Sequence, residues 1–235
     1  MSAKPNAKFE NGPYLSYFLA FTRALIAAWR FIFGRRKPMS LTQHFHRLPV
    51  SIDRDLELVA PSPIYIEDML TAAAHPMCWG ESVATWTRQT LLTFVEQRPS
   101  GIEPGDPLLG RWPGYVFWMK LRPEYSPPVP IAGTISLRLS DDDQFRLYTG
   151  HVGYGVFPPA RGYHYAERAT RLLLALAKLH GRDHLWITCN PANLASRRTI
   201  ERLGANLVEI IEVPENNVVR ARGGETHKCR YRVDL

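Results

Sequence analysis

Residues 157–169, FPPARGYHYAERA, carry the densest chemical signal in this chain. A strand that reaches Pro158-Pro159 cannot extend its ladder, because proline has no N–H to donate. The backbone must therefore turn out of a sheet at that point. The next segment opens a helix, whose first amides lack intrahelical partners. Those amides and the helix dipole together favour a phosphate. Arg161 adds a forked cationic donor at the mouth, and Gly162 lets the backbone approach a ligand closely. The chemistry implied is anion binding, with a diphosphate lying over residues 161–166. The same residues also suit an ordinary strand–loop–helix junction with a surface arginine, and this stretch alone does not decide between the two.

A second constellation bears on that choice. Asn190-Pro191-Ala192-Asn193-Leu194-Ala195-Ser196 sits between an expected strand and an expected helix that Leu203-Gly204 ends. Asn193 suits the N-cap of that helix, and its amide also reaches a ligand lying in a gap between two strand ends. Ser196, one turn in, faces the same gap. Asp141-Asp142-Asp143 reads as a hairpin turn, not a metal site. Cys78, Cys189 and Cys229 are scattered, with no CxxC or Cys/His cluster, which argues against a disulfide framework and against structural zinc. No metal is expected.

The elements that must position these residues follow from periodicity and turn signals. Strands are expected at Glu57–Pro61, Tyr115–Arg122, Ile131–Ser140, Arg146–Phe157, His184–Asn190, Asn206–Val213 and His227–Val233. Helices are expected at Ile64–His75, Ser82–Gln97, Tyr165–His180 and Asn193–Leu203. The order is β-α-α-β-β-β-α-β-α-β-β. An antiparallel meander leads into a β-α-β crossover, which makes the fold α/β with a mixed sheet.

The 235 residues allow one such domain plus an extension, and 45% apolar with 22% charged residues is ordinary for a globular chain. The net charge of +7 is confined to one end. Residues 1–50 hold eight basic residues and one acid, while the remaining 185 hold 21 of each sign. A basic arm on a neutral domain gives no case for nucleic-acid binding, and none is expected. Within the arm, residues 14–33 form one apolar block, with Ser16, Arg23 and Arg30 on a single stripe of a helix. Three readings stand: a helix lying in a membrane interface, a helix docked on protein, and a bilayer span that Arg23 would make costly. A membrane surface or a partner protein is thus expected to meet residues 14–37. The domain boundary is placed at residue 55, with residues 1–54 as the extension.

The element order, Arg161-x-x-His164-x-Ala166, and Asn193-x-x-Ser196 followed by Leu203-Gly204 together resemble the GNAT acetyltransferase superfamily. The stretch from Gly150 to Leu174 is most similar to its ribosomal-protein-alanine N-acetyltransferase-like branch. The resemblance implies a GNAT-like fold over residues 55–235 and an N-acetyltransferase that uses acetyl-CoA as cosubstrate with an amine acceptor. It implies that the pantetheine arm lies between strands 146–157 and 184–190, bonded to the backbone near Val156 and Phe157. It places the pyrophosphate on the amides of Arg161, Gly162, Tyr163, His164, Tyr165 and Ala166, Asn193 on the pantetheine, and Ser196 near the thioester sulfur. The family's loop has glycine where this chain has His164, and many members carry a tyrosine acid where this chain has Ile200. Ser196 then becomes the candidate acid. His151, on the expected central strand, is the candidate base, since an unperturbed imidazole titrates near neutrality; Glu167 and Glu209 rank behind it. Two other functions remain open: a membrane-associated acyltransferase using a lipid-like amine or a longer acyl donor, and a CoA-binding module without turnover. A reducing, cytoplasmic setting fits the cysteine usage.

Overall fold

A computed structural model describes residues 45–105 and 112–235. The apolar block 14–33 and most of its basic surroundings lie outside the described residues. Among the described residues no helix is long and apolar enough to cross a membrane.

Six strands build the first sheet: β1 (Ile52–Asp53), β2 (Leu56–Val59), β3 (Ile102–Glu103), β4 (Gly114–Leu121), β5 (Ile131–Arg138) and β6 (Val152–Val156). Their order is β1-β2-β4-β5-β6, with β3 also on β4, and every pair is antiparallel. β4 is its buried spine. Tyr115, Phe117, Trp118, Met119 and Leu121 are all buried, on both faces of the strand, and the strand reads as a nearly continuous apolar run. Against the sheet lie α1 (Ile66–Ala73), burying Ile66, Met69, Ala72 and Ala73, and α2 (Arg88–Glu96), burying Leu91 and Val95. The single helix expected over 82–97 is broken into a 3-10 turn at Ser82–Thr85 and α2. Trp86 is extended between them, packing its ring edge-on against Phe157 at 6.0 Å. Thr87 then starts α2 afresh through a capping box with Thr90.

The second sheet is antiparallel, with β7 (His184–Cys189), β8 (Asn206–Glu212) and β9 (His227–Asp234) in the order β7-β9-β8. Two helices connect it to the first sheet and close it: α3 (Tyr165–Leu179) between β6 and β7, and α4 (Leu194–Arg202) between β7 and β8. A short α5 (Val218–Gly223) precedes β9. The expected mixed sheet is thus resolved into two antiparallel sheets that meet at β6 and β7 without a ladder between them.

The expected strand over 146–157 is less than half that length. Gln144–Thr149 forms a π-helical turn, and only Val152–Val156 is strand. Gly150 separates them at φ 75°, a left-handed conformation suited to glycine, and a Cβ there would lie 2.9 Å from the Thr188 amide nitrogen. The backbone of this turn is therefore pressed against β7. His151 follows, and its peptide N–H donates to the Trp186 carbonyl at 2.7 Å while its imidazole Nδ1 accepts from the Trp186 N–H at 3.0 Å. One residue engages both the N–H and the carbonyl of Trp186 on the free edge of β7, in place of a ladder. Beyond it the two strands diverge.

The other end of the site is pinned by the β1–β2 hairpin. Arg168 on α3 is held by Asp53 at 2.6 Å and Asp55 at 2.7 Å, and the Tyr165 hydroxyl donates to Asp55 at 2.6 Å. Partial burial makes these pairs firmer than surface ion pairs. They fix the first turn of α3 relative to the sheet. Phe45 and Leu48 also pack against the core.

Candidate active site

The mouth of α3 begins where β6 ends. Phe157 turns the chain out of the sheet, its N–H still bonded to the Ala132 carbonyl at 2.8 Å and its ring buried. Pro158–Ala160 makes one 3-10 turn, and the chain reaches α3 through Gly162 at φ 92°. No side chain caps α3. Its first amides are left facing outward with the positive end of a 15-residue helix behind them. Tyr165 and Ala166 turn their side chains inward, whereas Tyr163 is exposed. The loop thus offers an anion its backbone and leaves the side chains aside.

His164 explains its own departure from the family pattern. It occupies the N-cap at φ 60°, ψ 20°, in the left-handed region that glycine enters freely. The fold demands that conformation at this position, and histidine adopts it here with its ring turned sideways. Arg202 donates to its Nδ1 at 3.0 Å, so the ring leans on the end of α4. Arg161, 57% exposed in its side chain, points its guanidinium at Glu81 at 3.1 Å and donates from Nε to the Val156 carbonyl at 3.1 Å. That arginine is therefore already engaged, and the carbonyl at the end of β6 has a partner within the chain.

Between the diverging β6 and β7 lies a cleft of ≈ 180 Å³, whose wall includes Tyr154, Cys189, Asn193, Ser196, Glu225 and Lys228. Asn193 caps α4 by accepting from the Ser196 N–H at 3.0 Å. This leaves its amide NH₂ free to face the cleft, so the two roles considered for Asn193 are compatible. The Ser196 hydroxyl sits 3.0 Å from the hydroxyl of Tyr154, which reaches across from β6. Burial pushes the Tyr154 phenol up to about 12 and the Cys189 thiol up to about 11, the latter also facing Cys229 across the β7–β9 pair. Both stay protonated at ordinary pH. Glu225 and Lys228 form an ion pair on the wall.

The structure brings Asn193 and Ser196 to one cleft and groups Arg161, Gly162, Tyr163, His164, Tyr165 and Ala166 at the mouth of α3. It does not bring His151 there. That side chain is 1% exposed and occupied with Trp186, and burial together with the Arg182 charge pushes its pKa down to about 4. An imidazole that accepts at Nδ1 carries its proton on Nε2, which lies 3.6 Å from Asp141. The geometry is that of a neutral structural histidine. Glu167 is paired with Arg171 and Glu209 with Arg230. Sequence reasoning missed Tyr154, Glu225 and Lys228. Tyr154 was within reach, since it lies two residues before Val156 and hence on the same strand face; Glu225 and Lys228 come to the cleft only through the return of β9. Among the described residues no cluster of His, Cys, Asp and Glu is placed to hold a metal ion.

Comparison with known proteins agrees with this architecture. No curated protein sequence matches the chain. Among solved structures, the chain is similar to the microcin C7 self-immunity acetyltransferase MccE in complex with acetyl-CoA and AMP, with TM-score 0.56, 16% identity, and 81% of this chain and 98% of that chain covered. RimL, a ribosomal α-N-protein acetyltransferase solved with coenzyme A, gives TM-score 0.53 and 14% identity over 80% of this chain and 97% of that one. A ribosomal-protein-alanine acetyltransferase from Vibrio fischeri gives 0.51 and 16% over 79% and 96%. At such identities the likeness speaks for the fold. The family signal comes from the sequence itself: the acetyltransferase (GNAT) domain matches residues 56–206, well over half of the chain and the whole span from β2 through α4. With the uncapped α3 mouth, β6 and β7 inside that span, the chain belongs to the GNAT acetyltransferase domain family.

Proposed function

We propose that this domain transfers an acetyl group from acetyl-CoA to a primary amine. The observation that carries the reading is the cleft where β6 and β7 part, with Ser196 and Asn193 on one wall and the uncapped N-terminus of α3 at its end. These residues fit the cosubstrate. The outward amides of residues 162–166 suit its diphosphate, and the unladdered edge of β6 leaves room for an extended pantetheine arm. Acetyl-CoA supplies the acyl group already activated as a thioester, so the chain need only align an amine with it and manage protons.

Those tasks fall to identified side chains. Asn193 presents its free amide NH₂ to the arm. Ser196 donates toward the place where the sulfur leaves. Arg161 exchanges Glu81 and the Val156 carbonyl for phosphate when the site fills, and so acts as a swinging contact. Glu225, the one carboxylate on the cleft wall among the described residues, draws the acceptor ammonium in and takes a proton from it. His151 holds β7 in place and has no part in proton transfer. The solved neighbours include enzymes named for ribosomal proteins and one named for microcin immunity, a range that supports a primary amine as the acceptor class and leaves its carrier open.

The deciding experiment pairs titration calorimetry of acetyl-CoA with thiol release across a panel of amines, including polyamines, lysine peptides and peptides with free N-terminal serine or alanine. Binding heat with thiol release from at least one amine is expected. Binding without release from any amine would reassign the domain to a CoA-binding module, and no binding heat would overturn the reading altogether.

A further inference from the structure

Ile200, one turn beyond Ser196 on α4, is fully buried at 0% exposure and offers no proton. A phenol nevertheless reaches the cleft. It comes from the opposite wall, where Tyr154 on β6 directs its hydroxyl to 3.0 Å from the Ser196 Oγ and 3.4 Å from the Ser196 carbonyl. Tyr154 pairs with Ile135 in the β5–β6 ladder, so its backbone is fixed and its side chain stands on the cleft face. Donating its N–H to the Asn193 Oδ1 anchors the Ser196 backbone. Both hydroxyls are therefore held from rigid elements, one from a strand and one from a capped helix.

We propose that Tyr154 supplies, through Ser196, the proton that the departing thiolate takes. The inference rests on the acetyl-transfer reading and deepens it. A serine hydroxyl by itself is a poor acid, because the alkoxide it leaves is far more basic than a phenolate. The Tyr154 phenol, even with burial raising it to about 12, is a better terminal donor than a serine hydroxyl. The chain of two hydroxyls lets serine donate while its own lost proton is replaced at once. In the balanced step the amine nitrogen bonds to the acyl carbon, the carbon–sulfur bond breaks, and the electron pair leaves on sulfur. The Ser196 hydroxyl proton passes to that sulfur, and the Tyr154 proton passes to Ser196. One of the protons shed by the amine returns to the phenolate through water, so one proton is released per turnover. Burial keeps Tyr154 protonated between turnovers. The other groups around it are Thr199 and Ser196 on α4 and Cys189 on β7, with Lys228 close to Cys189 and paired to Glu225. Tyr154 acts on the sulfur only through Ser196, so it is a positioning and proton-supplying residue.

The test uses free CoA as the probe and needs no acceptor. The ultraviolet thiolate absorbance of bound CoA is followed against pH as the difference between loaded and unloaded full-length protein. Lys228 and Glu225 are common to every variant, so differences between variants isolate the hydroxyl pair. In the wild type the bound thiol is expected to ionise below free CoA. In Tyr154→Phe it should rise by about half to one pH unit, the change that losing one hydrogen bond to the donating serine makes, while CoA affinity stays within about twofold by calorimetry. Ser196→Ala should produce a shift in the same direction. An unchanged thiol pKa in a Tyr154→Phe protein that binds CoA would overturn the relay while leaving acetyl transfer standing. Absence of CoA binding in the wild type would instead sink both. If Phe at this position unfolds the domain, 3-fluorotyrosine keeps the packing and acidifies the phenol. It should lower the bound thiol pKa further, and no change there would count against the relay equally.

Discussion

The seam between β6 and β7 is sealed at one end and open at the other, and the two ends are three residues apart in the chain, His151 just before β6 and Tyr154 within it. At the sealed end His151 grips the Trp186 peptide with its backbone N–H and its imidazole. At the open end Tyr154 and Ser196 face each other across the cleft. Both ends carry a polar side chain with a strongly shifted pKa, yet only one faces a cleft. Burial lowers the histidine to about 4 and so keeps it uncharged, as a structural acceptor must be. Burial raises the tyrosine to about 12 and so keeps a proton available beside Ser196. A perturbed titratable group marks a functional site only when geometry gives it something to act on.

The comparison can be broken most forcefully at the sealed end. His151→Ala should destabilise the domain by about 2–4 kcal/mol in denaturant titration, from an orphaned Trp186 N–H and the cavity left behind. Near-normal stability with collapsed turnover would instead make His151 a catalytic group. Its titration gives a second, slightly smaller effect. The folded pKa lies below the unfolded value near 6.5, so the stabilisation is fully present above that value and drains away as pH falls through about 4. The loss amounts to about 3 kcal/mol at most. It should be read as a falling Tm between those pH values and should shrink in His151→Gln, whose amide oxygen can accept from Trp186 without titrating.

At the open end the expected effects are kinetic. Ser196→Ala should lower kcat by about tenfold or more while leaving Tm and the KM for acetyl-CoA little changed, because the Asn193 cap uses the Ser196 N–H and not its hydroxyl. A rise in KM without loss of kcat would move Ser196 from proton transfer to binding. Arg161→Ala should weaken acetyl-CoA by about 1 kcal/mol in calorimetry, the low end for a charged hydrogen bond, because the side chain must first leave Glu81. The smallest effect is expected at His164→Gly. Relief of the left-handed backbone should stabilise the domain by about 1 kcal/mol or less, since added glycine entropy in the unfolded chain offsets part of the gain.

What could be read from the chain alone was whatever depends on local order. Pro158-Pro159 had to end a strand, Tyr165–His180 was expected as a helix, and Asn193 suited the cap of the next helix; the structure shows the strand ending before Pro158, a helix over Tyr165–Leu179 and the Asn193 cap. From these the uncapped mouth of α3 and the position of Ser196 follow, because both lie within a turn of a readable boundary. The strand expected over 146–157 failed because its alternation continued through residues that Gly150 folds into a turn, and alternation does not report a positive φ. His151 was expected as a base from its residue type, while its burial and its partner Trp186, thirty-five positions away, come only with the tertiary structure. The Tyr154–Ser196 pair spans 42 residues and the Glu225–Lys228 wall arrives with the last strand. Only tertiary structure could decide those, because a cleft formed where two strands stop pairing is a property of the pairing, and no stretch of sequence contains it.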